Sequence, residues 1–188
     1  MGYKVIALIG MAGSGKDTVL KQLLKTNKNF HKIVSYTTRP KREGEVEGVN
    51  YFYISPIEFR EKILNGEMLE ATGFRDWYYG TTLDLLDKDK INIGIFDPIR
   101  LKNLMENKEI EVLVFNIIAS DKTRLMRQLN RENNPDVKEI IRRFEVDSED
   151  FENIKFDYEY IINENKKDLR AAVKDILNAA KEFQDKKD

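Results

Sequence analysis

Compact apolar blocks alternate along this chain with stretches in which apolar positions recur every third or fourth residue. Compact blocks bounded by polar turns read as strands, and the wider spacing reads as amphipathic helix. Strands are predicted at Val5–Ile9, Lys32–Tyr36, Tyr51–Ile54, Met68–Thr72, Trp77–Tyr79, Ile91–Phe96, Glu111–Ile118 and Tyr158–Ile162. Helices are predicted at Val19–Leu24, Leu83–Lys88, Ile99–Asn107, Asp121–Arg131, Val137–Phe151 and Asp168–Phe183, with a frayed Lys/Asp-rich end after Phe183. A further helix start is marked chemically, with Ser55 as cap, Pro56 at the first helical position and Glu58 closing a capping box. That helix carries Phe59, Ile63 and Leu64 on one face and stops at Gly66.

The near-continuous apolar run Glu111–Ile118 suits the buried centre of a parallel sheet. Strands alternating with helices imply an α/β fold built on a mostly parallel sheet. The section from Tyr51 to Tyr79, with a turn near Phe74-Arg75-Asp76, has an antiparallel pattern and reads as an inserted lobe. No repeat and no low-complexity linker divides the chain.

Length and composition narrow the class. A chain of 188 residues, 41% apolar and 35% charged, suits one soluble domain with a single core. The formal net charge of −1 gives no bulk attraction to nucleic acid or to anionic membranes. Cysteine is absent, so no disulfide framework, thiolate metal site or thiol nucleophile exists. No apolar run approaches the roughly 20 residues needed to span a bilayer, and a soluble cytoplasmic protein is expected.

The first chemistry lies between the first strand and the first helix. Gly10-Met11-Ala12-Gly13-Ser14-Gly15-Lys16-Asp17-Thr18 has the spacing of a phosphate-binding P-loop in all but its last position. Glycines let the backbone turn its N–H groups inward, and the following helix adds the positive end of its dipole. Lys16 supplies a mobile point charge for terminal phosphates. Asp17 stands where Ser or Thr is usual.

The second lies in Ser35-Tyr36-Thr37-Thr38-Arg39-Pro40-Lys41-Arg42-Glu43-Gly44-Glu45, continuing to Gly48 and Tyr51. Two arginines three apart, with hydroxyls nearby, suit capture of a phosphate monoester by their planar forks of donors. A solvated loop of alternating charge would look the same on its own. Followed by a Phe-containing helix, Leu69-Glu70 and Tyr78-Tyr79-Gly80-Thr81, the pattern resembles guanylate kinase over most of the chain.

That resemblance implies ATP-dependent phosphorylation of GMP or dGMP to the diphosphate, with Mg²⁺. It also implies a P-loop nucleoside monophosphate kinase architecture: a parallel sheet flanked by helices, an inserted nucleotide-monophosphate-binding lobe and a helical lid. The division expected within one domain, 1–188, is a core of 1–34, 82–120 and 152–188, a GMP lobe of 35–81 and a lid of 121–151. By position, Ser35, Arg39, Arg42, Tyr51 and Tyr79 would hold the GMP phosphate. Glu70 would accept from guanine N1 and N2, and Thr81 would meet O6, an order that adenine does not match. Asp97, at a strand end, would face metal and phosphates, and otherwise caps the following helix. Arg131 and Arg143 match lid arginines, with Lys16 and Arg39 the other catalytic cations. Arg127 is out of register by a residue, and Arg124 and Arg142 read as solvated helix faces. Asn163 matches a position near the adenine ring. The partners implied are nucleotides alone, with oligomeric state open.

Two positions depart from the family. Ile99 stands where a second carboxylate near the guanine amino group is usual, which bears on guanine selectivity. Asp17 also occurs in related ribosyl bisphosphate phosphokinases. A carboxylate beside phosphates is repelled unless a cation intervenes. Asp17, directly or through water, and Asp97, through water, are therefore the expected Mg²⁺ contacts, with a first-turn acid favoured by the helix dipole as the alternative for Asp17. An acceptor other than GMP, or a non-catalytic interaction module of the same fold, are the alternatives. His31 is expected at the surface, and Trp77 and the phenylalanines in the core.

Overall fold

The computed structural model describes residues 2–74, 76–131, 133–152 and 159–185. Arg75, Glu132, Tyr158 and the end from residue 186, all within segments interpreted above, lie outside the described residues.

Five parallel strands form the main sheet in the order β2-β7-β1-β8-β9: β1 (Tyr3–Ile9), β2 (Phe30–Lys32), β7 (Ile91–Ile95), β8 (Ile110–Ile118) and β9 (Glu159–Ile162). The central place belongs to β1, whose Val5 to Ile9 are all buried, while β8 lies beside it and exposes Glu111. Each face is covered by helices. On one, α1 (Lys16–Thr26) and α6 (Lys166–Asp185) bury Val19, Leu20, Leu23, Ala172, Ile176 and Phe183 against Ile6, Leu8, Phe115 and Ile117. On the other, α3 (Pro98–Met105) packs Leu101 and Leu104 against Val5, Ala7, Ile9 and Val114. Truncating one of these buried leucines to Ala would cost about 2–5 kcal/mol, because the packed surroundings cannot close the cavity.

A second, four-stranded sheet has the order β4-β3-β6-β5: β3 (Tyr36–Thr37), β4 (Phe52–Tyr53), β5 (Met68–Phe74) and β6 (Trp77–Thr82). Within the section Tyr51–Tyr79 the β5–β6 pair is antiparallel as expected, β3 joins β6 antiparallel, and β4 runs parallel to β3. The predicted strand Lys32–Tyr36 is divided. Phe30–Lys32 pairs with β7, Ile33 N–H still reaches Ile93 O at 2.9 Å, and Tyr36 already pairs with Gly80 of β6.

The capping box is present: Ser55 and Glu58 bond reciprocally ahead of α2 (Pro56–Leu64), and Gly66 follows at φ +69°. Only Phe59 of its apolar face is buried, whereas Ile63 is 46% and Leu64 76% exposed. The helix predicted at Leu83–Lys88 is a single 3₁₀ turn, Leu83–Leu85. Asn92 stops it: its side chain accepts from Asp87 N–H at 2.7 Å and donates to Asp87 C=O at 2.8 Å. Those bonds satisfy the backbone groups a helix would have used. The lone histidine, His31, is half-buried in β2, with Nε2 3.0 Å from Leu85 O. Trp77 is half-buried at the start of β6 rather than in the core. The remaining helices are α4 (Asp121–Leu129) and α5 (Val137–Glu152).

Candidate active site

Because the main sheet is parallel, the chain leaves β1, β7, β8 and β9 at the same edge, where open α/β sheets hold ligands. Gly10 to Gly15 follow β1, Asp97 follows β7, Ser120 follows β8 and Asn163 follows β9.

The glycine loop is tightly enclosed. Gly13 (φ +80°) and Gly15 (φ +94°) have left-handed backbone, and a Cβ would lie 2.5 Å from Arg124 O and 2.3 Å from Asn163 Nδ2 respectively. No other residue type fits either place without displacing the wall. Lys16, opening α1, donates its ammonium to Gly10 O at 2.5 Å and Met11 O at 3.1 Å, and burial lowers its pKa. The buried Ser14 hydroxyl has no hydrogen-bond partner among the described residues. Asp17 and Thr18 are exposed in the first turn of α1.

The wall around the loop contains residues that a linear reading misassigns. Arg124, expected on a solvated face, is 2% exposed and donates to Ala12 O at 3.1 Å and to Asp121 Oδ1 at 2.8 Å. Its guanidinium stacks on the Phe144 ring at 4.3 Å. Arg127 grips the loop and the β9 end together, bonding Gly13 O (3.2 Å), Ser14 O (3.1 Å), Asn163 O (2.9 Å) and Glu164 O (3.1 Å). Asn163 donates to Ser14 O at 2.8 Å, so it buttresses the loop. From α5, Asp147 accepts a short hydrogen bond from Ala12 N–H, a backbone donor of the kind a phosphate would take.

Of the arginines matched to a lid, Arg131 is exposed and its charge is among those that lower the Lys16 ammonium after burial. Arg143 pairs with Glu139 at 2.8 Å within α5, as Arg142 does at the same distance.

The small sheet carries the second cluster. Arg39 is buried, donating to Pro40 O at 2.7 Å and to both oxygens of Glu45 at 2.8 and 3.0 Å. Its guanidinium lies 5.6 Å from the Tyr51 ring centre, and Tyr51 meets Tyr79 edge-on at 5.8 Å. Burial alone would raise the Glu45 carboxyl, but bonds from Arg39, Arg42 N–H and Tyr53 hold it down at about 2. The Arg42 side chain is exposed.

Deeper in, Glu70 and Thr81 stand directly opposite each other on β5 and β6, after a register shift between Met68 and Glu70. Ser35 Oγ lies 3.0 Å from Thr81 Oγ1. Into this group reaches Arg100 from α3, unforeseen in the sequence. Its Nε donates to Glu70 Oε2 at 2.5 Å, and its Nη2 to Glu70 Oε1 (2.6 Å), Ser35 (2.8 Å) and Thr81 (3.1 Å). Burial pushes the Glu70 carboxyl up, with Arg100 opposing that shift. Asp97 caps α3 by accepting from Arg100 N–H at 2.9 Å, the helix-capping alternative weighed above.

Among the described residues no three His, Cys, Asp or Glu side chains gather into a cation cage. The carboxylates on this side stand singly: Asp17 in the first turn of α1, Asp147 on the Ala12 N–H, and Asp97 after β7. One or two carboxylates completed by phosphate oxygens and water are the set Mg²⁺ favours, so the residues fit that ion.

A phosphate loop at the edge of a parallel sheet, facing a small sheet lined with arginines, tyrosines and a buried carboxylate, defines a P-loop phosphotransferase of the monophosphate kinase class. Comparison with known proteins makes this specific. The family model described as guanylate kinase matches residues 2–181. The guanylate kinase of Clostridioides difficile (strain 630) is 33% identical over 185 residues, covering 94% of this chain and 88% of its own. That of Lactococcus lactis subsp. lactis (strain IL1403) is 33% identical over 183 residues, covering 93% and 87%. The crystal structure of guanylate kinase from Anaplasma phagocytophilum superposes with a TM-score of 0.71 at 22% identity, covering 98% of this chain and 88% of that one. The chain belongs to the guanylate kinase family.

Proposed function

We propose that this chain transfers the terminal phosphoryl group of ATP to GMP or dGMP, giving two diphosphates. The observation that carries the acceptor reading is the cross-strand pair Glu70 and Thr81, a carboxylate and a hydroxyl held side by side and buried. A guanine edge presents N–H groups for the first and a carbonyl for the second.

The residues divide the work by charge. Backbone N–H groups of Gly10 to Gly15 and the start of α1 receive the ATP phosphates, and Lys16 moves from the Gly10 and Met11 carbonyls onto them. Arg39, Arg42, Tyr51 and Tyr79, with Ser35, hold the acceptor phosphate. Arg131 and Arg143 close over the transferring group, neutralising its charge and excluding water that would otherwise accept it. No general base with a tuned pKa is required, since the acceptor phosphate is already an oxyanion. Asp17 directly, and Asp97 through water, would hold Mg²⁺. When bound, the ion neutralises charge on the ATP phosphates. The setting proposed is the cytoplasm, where both nucleotides are available.

A coupled assay of ADP release across GMP, dGMP, AMP, CMP and a ribosyl phosphate tests the reading. GMP or dGMP is expected to give the highest kcat/KM. Better use of AMP or of a sugar phosphate would overturn it.

A further inference from the structure

Glu70 and Thr81 are the groups that would meet the base, yet as they stand neither is open to one. The Glu70 side chain is 0% exposed, and Thr81 is equally enclosed. Arg100, from the first turn of α3, sits on Glu70 with both ends of its fork: Nε donates to Oε2 at 2.5 Å and Nη2 to Oε1 at 2.6 Å. Nη2 also donates to Ser35 Oγ at 2.8 Å and to Thr81 Oγ1 at 3.1 Å. The guanidinium stands over the Phe96 ring, 5.2 Å from its centre.

The chemistry of this contact is that of the proposed acceptor. A guanidinium presents two parallel N–H groups on a planar N–C–N unit, and so does the N1–C2–N2 edge of guanine. A fork with one donor on each carboxylate oxygen takes from each the lone pair that faces out between them. The lone pairs left over point away from one another along the flanks of the carboxylate, so a single base edge cannot use both. Guanine therefore meets a paired acceptor already filled by a group of its own shape. With Arg100 withdrawn, Glu70 regains both inner lone pairs and Thr81 is relieved of the Nη2 contact. Asp97, whose charge already acts on the guanidinium, is a counter-ion for it once withdrawn.

We infer that Arg100 is a resident stand-in for guanine, filling the base site with its own fork, and that GMP binds by displacing it from Glu70. The inference rests on the reading of Glu70 and Thr81 as the base-contacting pair. An occupied site lowers apparent affinity, because the open form is only a fraction of the free protein. It also sets a condition for entry: only a base that returns two N–H groups to Glu70 replaces what it breaks.

The test is a crystal structure of the whole chain with GMP, together with calorimetric GMP binding to the parent and two variants. With GMP bound, Glu70 is expected to accept from the base and Arg100 to stand beyond hydrogen-bond distance of it. Arg100→Lys keeps the charge but loses the fork, so it competes less well. GMP is expected to bind this variant about tenfold more tightly than the parent, roughly the worth of one hydrogen bond to a charged group. In Arg100→Ala, millimolar guanidinium chloride is expected to compete with GMP, while leaving GMP affinity of the parent unchanged. An Arg100 that merely supports the site predicts the opposite sign, weaker GMP binding in both variants and its restoration by guanidinium in Arg100→Ala. That result overturns the inference, as does bound GMP with both Arg100–Glu70 bonds intact. If neither variant folds, the GMP complex of the parent decides it. A parent that binds no GMP and phosphorylates no nucleotide refutes the kinase reading, and this inference with it.

Discussion

Lys16 curls back onto the carbonyls of Gly10 and Met11, so its charge is held inside the loop by bonds that a phosphate would replace. It contributes nothing to either apolar cluster. Lys16→Ala is therefore expected to leave the melting temperature within a few degrees of the parent while lowering kcat about 100-fold or more, the usual cost of losing a transition-state contact. Turnover within a few-fold of the parent would show that the loop does not work this way. Asp17 is exposed beside it, and a carboxylate near phosphates is repelled by about 4 kcal/mol at 4 Å and an effective dielectric near 20 unless a cation intervenes. Asp17→Asn should then raise the Mg²⁺ concentration for half-maximal rate, and an unchanged metal titration would reduce Asp17 to a first-turn acid favoured by the helix dipole. These residues are legible in the sequence because their neighbours in space are their neighbours in the chain. Arg100, Arg124 and Asp147 are not. Their partners Glu70, Ala12 and again Ala12 lie 30, 112 and 135 positions away, so no local pattern distinguishes them from helix-surface charges.

At the level of elements, strands and helices were readable wherever a single rule governed them, as in the Ser55–Glu58 capping box. The failures are places where a tertiary bond overrides local preference. Asn92 arrests the turn at Leu83–Leu85, and two sheets share what reads as one strand at Lys32–Tyr36. The loop between β3 and β4 is a case where sequence left two readings open, solvated charge or phosphate site. The structure shows an ordered Arg39–Glu45 pair, with the carboxylate 18% exposed and joined by Tyr53 at 2.8 Å. Its consequence for stability has a definite sign. Glu45 is held at about 2 against an ordinary 4.5, so its contribution is fully present above about pH 4.5 and is lost as pH falls towards 2. The shift corresponds to about 3–4 kcal/mol before solvent screening, which lowers the net contribution. Glu45→Gln should therefore be less stable than the parent in urea unfolding at about pH 6, and the gap should narrow at about pH 3. A gap of the same size at both values would mean that the pair does not stabilise the loop as an ion pair.

Across the whole molecule, the groups that would meet the phosphates are spread over segments with separate supports. Lys16 belongs to the core, Arg39 to the small sheet, and Arg131 and Arg143 to the region of α4 and α5. Like charges on independent segments repel until anions lie between them, so bound phosphates should draw the segments together. The contact between Asp147 of α5 and Ala12 N–H sharpens this, because a protein carboxylate there competes with a phosphate oxygen for the same donor. A phosphate oxygen taking that donor would displace Asp147, and a shift of α5 relative to the glycine loop would open the contact. Lobe 35–81 and lid 121–151 are accordingly expected to reposition and close on the core when both nucleotides bind. The chain has no cysteine, so pairs introduced for labelling report without background. Ile57 on the lobe, Ile141 on the lid and Lys174 on the core are exposed positions outside the proposed contacts. The Ile57–Lys174 distance is expected to shorten with GMP and a non-hydrolysable ATP analogue together, and Ile141–Lys174 to change with the ATP analogue alone. Small-angle scattering should show a smaller radius of gyration for the doubly liganded protein. Unchanged distances and radius, with both nucleotides shown to be bound, would mean that the enzyme works as a rigid cleft and that Asp147 leaves Ala12 by a side-chain rotation alone.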